Sequence, residues 1–273
     1  MESQKIGRRE FLKGLAAGTV ALAGLGVVRR PAPASEETPA SSYKWVMVID
    51  QAKCTGCGYC TLACRAHNDV PPDISWNRVI AAGQVGGKKV FLPRPCMHCE
   101  HPPCVEVCPV RATYRRADGI VMMDYSRCIG CRYCEVACPY GARAFNWDEF
   151  TGPNPAVPTW GQPEVPRRPR GVVEKCSFCF QRIDRGLARG LVPGVDPEAT
   201  PACVVACPVK ARIFGNLNDP DSEVSQLLAR SPSYRLREDL GTAPRVYYLP
   251  AREETVSTVS SRPAPLARQE VTR

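Results

Sequence analysis

One run constrains this chain more than any other: Cys128–Pro139, which reads C-I-G-C-R-Y-C-E-V-A-C-P. Three cysteines stand at two-residue gaps, and a fourth follows after three more residues with a proline behind it. The pattern recurs with variation. Cys54, Cys57, Cys60 and Cys64 form a first group, Cys96, Cys99, Cys104 and Cys108 a second, and Cys176, Cys179, Cys203 and Cys207 a fourth, so the run itself is the third. All sixteen cysteines fall in these groups. The last cysteine is followed by proline in every group except the first, where Arg65 follows Cys64.

Two internal alignments show a duplication. D-Q-A-K-C-T-G-C-G-Y-C-T-L-A-C (Asp50–Cys64) matches D-Y-S-R-C-I-G-C-R-Y-C-E-V-A-C (Asp124–Cys138). P-P-C-V-E-V-C-P-V-R-A (Pro102–Ala112) matches P-A-C-V-V-A-C-P-V-K-A (Pro201–Ala211). Groups one and three are therefore one type, and groups two and four another. Chance clustering of cysteine would not repeat the residues in between.

A disulfide scaffold and structural zinc both predict paired cysteines. Neither predicts three CxxC-spaced cysteines followed by Cys-x-x-x-Cys-Pro. That run holds [4Fe–4S] clusters, and in two-cluster ferredoxins its fourth cysteine ligates the other cluster. A strand-like stretch precedes each group of the first type and another follows each group of the second type. Asp118-Gly119 between two such stretches is a hairpin signal joining groups two and three. The strand after group four should then pair with the strand before group one. Crossed ligation follows: Cys128, Cys131 and Cys134 with Cys108; Cys96, Cys99 and Cys104 with Cys138; Cys54, Cys57 and Cys60 with Cys207; Cys176, Cys179 and Cys203 with Cys64. Four [4Fe–4S] clusters use every cysteine. The expected fold is α+β: two pseudo-symmetric bacterial-ferredoxin-like modules of two clusters each, with loop insertions and a C-terminal extension.

Composition agrees. With 27 Pro, 21 Gly and 7% aromatics in 273 residues, the chain is loop-rich and lacks the makings of a large apolar core. The net charge is +9, of which the first 34 residues carry +4, leaving a modest +5 and no basic-aromatic interleaving of a nucleic-acid binder. Residues 1–34 read as an export signal. Gly7-Arg8-Arg9-Glu10-Phe11-Leu12-Lys13 resembles the twin-arginine signal, with Gly where Ser or Thr is usual; a weakly apolar stretch and Ala32-Pro33-Ala34 follow. Cleavage there, or retention as an N-terminal anchor, are both open.

In order, the sequence predicts a linker over 35–44, the four-cluster domain over 45–250, and a disordered tail over 251–273. Within the domain it predicts a strand at Trp45–Asp50, a helical turn at Tyr59–Cys64 and a loop over 65–93 with a short strand at Val90–Leu92. Strands at Ala112–Arg115 and Gly119–Asp124 come next, then an insertion over 140–174 without periodicity, read as a partner-contacting loop or a surface decoration. Helical composition at Phe180–Leu191, a strand at Ala211–Leu217, a helix at Ser222–Ala229 and a strand at Val246–Leu249 complete the expectation. Arg167-Arg168-Pro169-Arg170 reads as a solvated loop.

With four groups in this order and a twin-arginine-like signal, the chain resembles the four-cluster electron-transfer (beta) subunits of the DMSO-reductase superfamily. Within it the resemblance is nearest the exported tetrathionate reductase beta, NrfC-like and DsrO-like subunits. It covers roughly residues 43–250. It implies a subunit that catalyses no bond chemistry itself and relays electrons between an integral-membrane quinone-reactive subunit and a catalytic subunit, often one carrying a molybdopterin. The implied location is peripheral, on the exported (periplasmic) face of the cytoplasmic membrane, with no nucleic-acid partner. A free periplasmic polyferredoxin and an exported disulfide or zinc scaffold are the competing functions.

Beside the ligands, Lys53, Arg127 and Lys175 are candidates to raise cluster potentials, with exposed side chains the favoured reading. His98 and His101 sit inside group two but have no ligand slot left, so they read as packing residues or as hydrogen-bond partners of the ligands. Tyr59 and Tyr133 occupy matching sites next to ligands and read as shields or core.

Overall fold

The apolar run W-V-M-V-I, with no polar residue alternating through it, demands a strand covered on both faces. In the computed structural model, which describes residues 41–252, it is β1 (Trp45–Asp50), buried from Trp45 to Ile49. Strand alternation splits it between two cores. Trp45, Met47 and Ile49 point into the main core with most of the buried cysteines. Val46 and Val48 pack with Ile213, Val224 and Leu249 on the other side. Val224 belongs to the helix Glu223–Arg230, whose N-cap Ser222 accepts a hydrogen bond from the Ser225 backbone N–H at 3.3 Å.

Two hairpins follow β1 in the chain. β2 (Arg78–Val85) and β3 (Lys88–Arg94) pair antiparallel across Gly86-Gly87, both at positive φ as a tight primed turn requires. This corrects the expected 65–93 loop with its short strand. The ribbon leaves no mark in the sequence because R-V-I-A-A-G-Q-V has no alternation: β2 is almost wholly exposed, and a register shift lies between Ala81 and Gly83. β4 (Thr113–Arg115) and β5 (Val121–Met123) form the Asp118-Gly119 hairpin. There Asp118 Oδ1 accepts from the Ile120 N–H at 3.1 Å, and Gly119 takes φ 87°.

β6 (Arg143–Phe145) and β7 (Val173–Lys175) pair antiparallel and close the base of the 140–174 insertion, where the sequence predicts no strand at all. Three-residue strands are too short to show a period. β8 (Arg212–Asn216) pairs antiparallel with β1, placing Ile49 opposite Arg212, as the repeat argument requires. β9 (Val246–Leu249) pairs parallel on the other edge of β1. The remaining helices are short: Tyr59–His67, Pro103–Glu106, Tyr133–Val136, Phe180–Leu187 and Ala202–Val205. Among the described residues no helix is long and apolar enough to cross a membrane. The signal read at residues 1–34 lies outside the described residues, as does the tail from residue 253.

The insertion is strapped to its own chain. Glu164 accepts hydrogen bonds from His67 at 2.7 Å, from Arg185 at 2.9 Å and from Arg182. Burial alone would raise its pKa, but these partners outweigh burial and hold the carboxyl at about 2. Trp160 packs against Tyr59 with ring centroids 4.6 Å apart. The basic stretch is likewise not solvated. Arg167 grips both carboxylate oxygens of Asp69 at 3.0 Å, and Arg168 is buried, donating to the Asp69 carbonyl and the Glu174 carboxylate. Arg170 is the member left at the surface.

Candidate iron–sulfur centres

Each CxxC loop must turn sharply to present its cysteines to one centre. The third residue does this by a left-handed backbone: Gly56, His98, Gly130 and Phe178 have φ of 75°, 44°, 69° and 54°. The two glycines are also pressed. A Cβ on Gly56 would lie 2.5 Å from the Phe91 ring, and one on Gly130 would lie 2.2 Å from the Gly171 carbonyl oxygen. Gly130→Ala therefore combines an unfavourable φ with a clash against backbone that cannot rotate away. We expect a loss of about 2 kcal/mol or more and a melting point lower by about 4–8 °C; an unchanged melting curve would show that the loop relaxes freely. At the other two loops the third residue carries a ring. His98 and Phe178 stack on each other, 3.7 Å between centroids, which joins the loop of group two to the loop of group four.

The cysteines gather across groups. Cys54, Cys57, Cys60 and Cys207 line one cavity, and Cys108, Cys128, Cys131 and Cys134 another. Burial first, then Cys96, Cys104 and Cys138, push the Cys99 thiol up to about 12. Burial, then Cys176, Cys179 and Cys203, raise the Cys64 thiol well above its ordinary value. The four quartets are also neighbours in series. Cys203 feels Cys60, Cys176 feels Cys96, and Cys134 feels Cys104. Of the sixteen, Cys57 and Cys131 are the exposed ones, and they belong to the two outer quartets.

Donors point at the sulfurs. After each Cys-Pro, the chain curls back so that a backbone N–H reaches the last cysteine: Ala211 N–H donates to Cys207 Sγ at 3.2 Å, and Thr113 N–H to Cys108 Sγ at 3.5 Å. Cys64 lacks the proline, and its helix runs on to His67. The side chain of Asn68, four residues on, takes over, with Nδ2 3.8 Å from Cys64 Sγ and 3.5 Å from Cys179 Sγ. Asn68, Arg143 and Arg212 carry no motif of their own, and sequence reasoning misses them. Their signal is their fixed distance from the last cysteine of a group.

Lys175 corrects an expectation. Lys53 and Arg127 are exposed, but Lys175 is buried, donating through Nζ to the carbonyls of Val121 and Cys176. Its charge faces Cys96, Cys176 and Cys104, in the seam between groups two and four. His98 is buried and accepts from the Val121 N–H through Nδ1 at 3.1 Å, while His101 is exposed. Burial, and then Lys175, Arg245 and Arg143, hold His98 well below its ordinary pKa, so it is a neutral packing group. Tyr59 and Tyr133 are not core residues: they are 41% and 62% exposed.

These residues fit iron–sulfur clusters. All sixteen cysteines are unpaired thiols, which leaves no disulfide framework. Among the described residues no three His, Cys, Asp or Glu side chains converge tightly enough for a single ion, as structural zinc demands. The two outer quartets instead surround cavities, and buried cations stand beside the cysteines with no acid among their partners in the described residues. That is the setting of a polyatomic anion.

Known proteins match accordingly. Residues 88–152 and 127–211 match 4Fe-4S dicluster domains, and residues 45–66 a 4Fe-4S binding domain. A selenate reductase subunit of Mesobacillus selenatarsenatis is 37% identical over 91% of this chain and 98% of its own length. The iron-sulfur cluster-binding subunit of the menaquinone reductase of Nitratidesulfovibrio vulgaris is 46% identical over 77% of this chain and 90% of its own. A tetrathionate reductase subunit of Salmonella typhimurium is 34% identical over 99% and 98%. The quartets, the donors aimed at them and these likenesses agree: the chain belongs to the four-cluster [4Fe–4S] electron-transfer subunits of the DMSO-reductase superfamily.

Proposed function

We propose that this chain is the fixed electron relay of a respiratory oxidoreductase, built as two ferredoxin-like modules over 45–250, the module of groups one and four closed by the pairing of β1 with β8. Cys54, Cys57, Cys60 and Cys207 would hold one cluster, and Cys176, Cys179, Cys203 and Cys64 the next. Cys96, Cys99, Cys104 and Cys138 would hold a third, and Cys128, Cys131, Cys134 and Cys108 the fourth. When bound, each cluster takes up one electron and gives it back with no bond made or broken. The protein's own work is to hold the thiolates, exclude water from the two inner quartets and supply donors that stabilise the reduced form.

The observation that carries this reading is the arrangement of the quartets as neighbours in series, with Cys60, Cys64, Cys96, Cys176 and Cys203 in one packed core, Cys104 and Cys134 in another, and the exposed thiols in the two outer quartets. Such a series suits a chain with a partner at each end. One partner is a quinone-reactive membrane subunit, in keeping with the menaquinone reductase likeness; the other is a catalytic subunit, molybdopterin-containing in our reading. The twin-arginine-like motif at Gly7–Lys13 supports a place on the exported face of the cytoplasmic membrane. Selenate and tetrathionate in the relatives' names differ, so the terminal substrate belongs to the catalytic partner.

Chain purified anaerobically at native expression should carry about sixteen iron and sixteen acid-labile sulfide atoms. It should come with the membrane fraction and a second, catalytic polypeptide. A loaded monomer recovered alone from the soluble periplasm would favour a free polyferredoxin instead, and a colourless protein would sink both.

A further inference from the structure

Two arginines stand at one repeat position. The last cysteines of groups two, three and four each open Cys-Pro-x-x-Ala; the next residue is Thr113 in group two, Arg143 in group three and Arg212 in group four. Arg143 begins β6 and Arg212 begins β8, so each is fixed by a strand directly behind its ligand turn. Both are buried, at 4% and 3% exposure.

Among the described residues neither has an acid as a partner. Arg212 donates to Asn77 Oδ1, to Met47 Sδ at 3.4 Å and to Cys203 Sγ at 3.7 Å. Arg143 Nη1 donates to Thr113 Oγ1 at 3.1 Å and Met123 Sδ at 3.3 Å, while its Nη2 is buried with no nitrogen or oxygen partner among the described residues, and its charge faces Cys104 and Cys134. A guanidinium cannot shed its proton in a protein. Burying one without a counter-charge is strongly unfavourable. The missing negative charge has to come from the cysteine centres, because a cubane with four thiolate ligands is net negative in both its oxidation states.

The placement is between centres. Arg212 lines the cavity of Cys54, Cys57, Cys60 and Cys207, yet donates to Cys203 of the neighbouring quartet. Arg143 reaches Met123 and Thr113, beside the packed cluster that holds both Cys104 and Cys134, which belong to different quartets. Thr113, the uncharged member of the series, serves as an acceptor for Arg143.

We propose that Arg143 and Arg212 are paired tuning groups, each shared by the two clusters it lies between and raising both potentials together. The reading rests on the crossed ligation proposed above. Reduction adds a negative charge, and a fixed cation in a dry site favours it. One cation serving two neighbours moves their potentials in step, so the difference between them is left unchanged while both absolute values rise.

Potentiometric EPR titration of the purified complex tests it. Arg212→Gln should shift two of the four one-electron waves, those of the Cys54 and Cys176 quartets, downward. The expected size is at least tenfold in the oxidised-to-reduced ratio at fixed potential, about 59 mV for one electron. Arg143→Gln should move the other two, and the Lys variants should restore most of each shift. Movement of one wave, of all four, or of none overturns the proposal. Waves moving in pairs other than these, with four clusters still present, would count against the crossed ligation and leave the sharing intact. Should a Gln variant not fold, the wild-type protein decides. Arginine labelled with 15N in its guanidinium alone must change the nitrogen modulation of the reduced clusters, and no change overturns the proposal.

Discussion

Cys138→Ala is expected to remove one cluster of four, and not the cluster of its own sequence run. The iron content should fall from about sixteen to about twelve atoms, and the lost EPR signal should be that of the centre built on Cys96, Cys99 and Cys104. The reason is spatial. Burial, then Cys96 and Cys104, raise the Cys138 thiol, whereas Cys128, Cys131 and Cys134 share their cavity with Cys108. The converse variant, Cys108→Ala, should therefore remove the centre of the Cys128 run and spare the other. Because Cys138 lies in an inner quartet, its loss also breaks the series, and electron transfer through the subunit should fall by orders of magnitude while both end clusters remain reducible. If Cys138→Ala instead abolished the Cys128 centre, ligation would be local and the two-module reading would fail.

How much of this is legible in the sequence depends on whether a residue speaks through spacing or through burial. Cysteine spacing and the two internal alignments lead to the quartets, because a cluster loop tolerates few lengths. β1 is plain because a strand covered on both faces needs an unbroken apolar run, and its pairing with β8 follows from the repeat. Burial of charge leaves no such trace. Arg168 and Lys175 sit in stretches that look hydrophilic, and only the folded insertion reveals that they are enclosed. Asn68 looks like an ordinary end of a helix until its amide is seen to stand in for the backbone donor that Cys-Pro provides elsewhere. The β2–β3 ribbon escapes for the opposite reason: it buries too little to need a pattern.

The second large effect is expected at Glu174, which lies in β7 two residues before Cys176 and is fully buried. Its carboxylate accepts from Trp76 Nε1 at 2.9 Å, from Arg168 Nη2 at 3.1 Å and from Asn146 Nδ2. The Arg168 guanidinium also stands 4.7 Å over the Trp76 ring, so one acid ties the base of the insertion to the segment after the first cysteine group. Glu174→Ala strands three buried donors, one of them a permanent cation. Breaking a buried pair from one side costs about 3–5 kcal/mol, and the melting point should drop by roughly 6–20 °C, followed by bleaching of the cluster absorbance. Removing both charges, in Arg168→Met with Glu174→Met, should recover much of that loss, since the penalty comes chiefly from the charge left alone. A single-variant loss below about 1 kcal/mol, in the range of exposed pairs, would mean that the insertion admits water to Arg168. The strap would then be a loose cover over the inner centres and not the wall that keeps them dry.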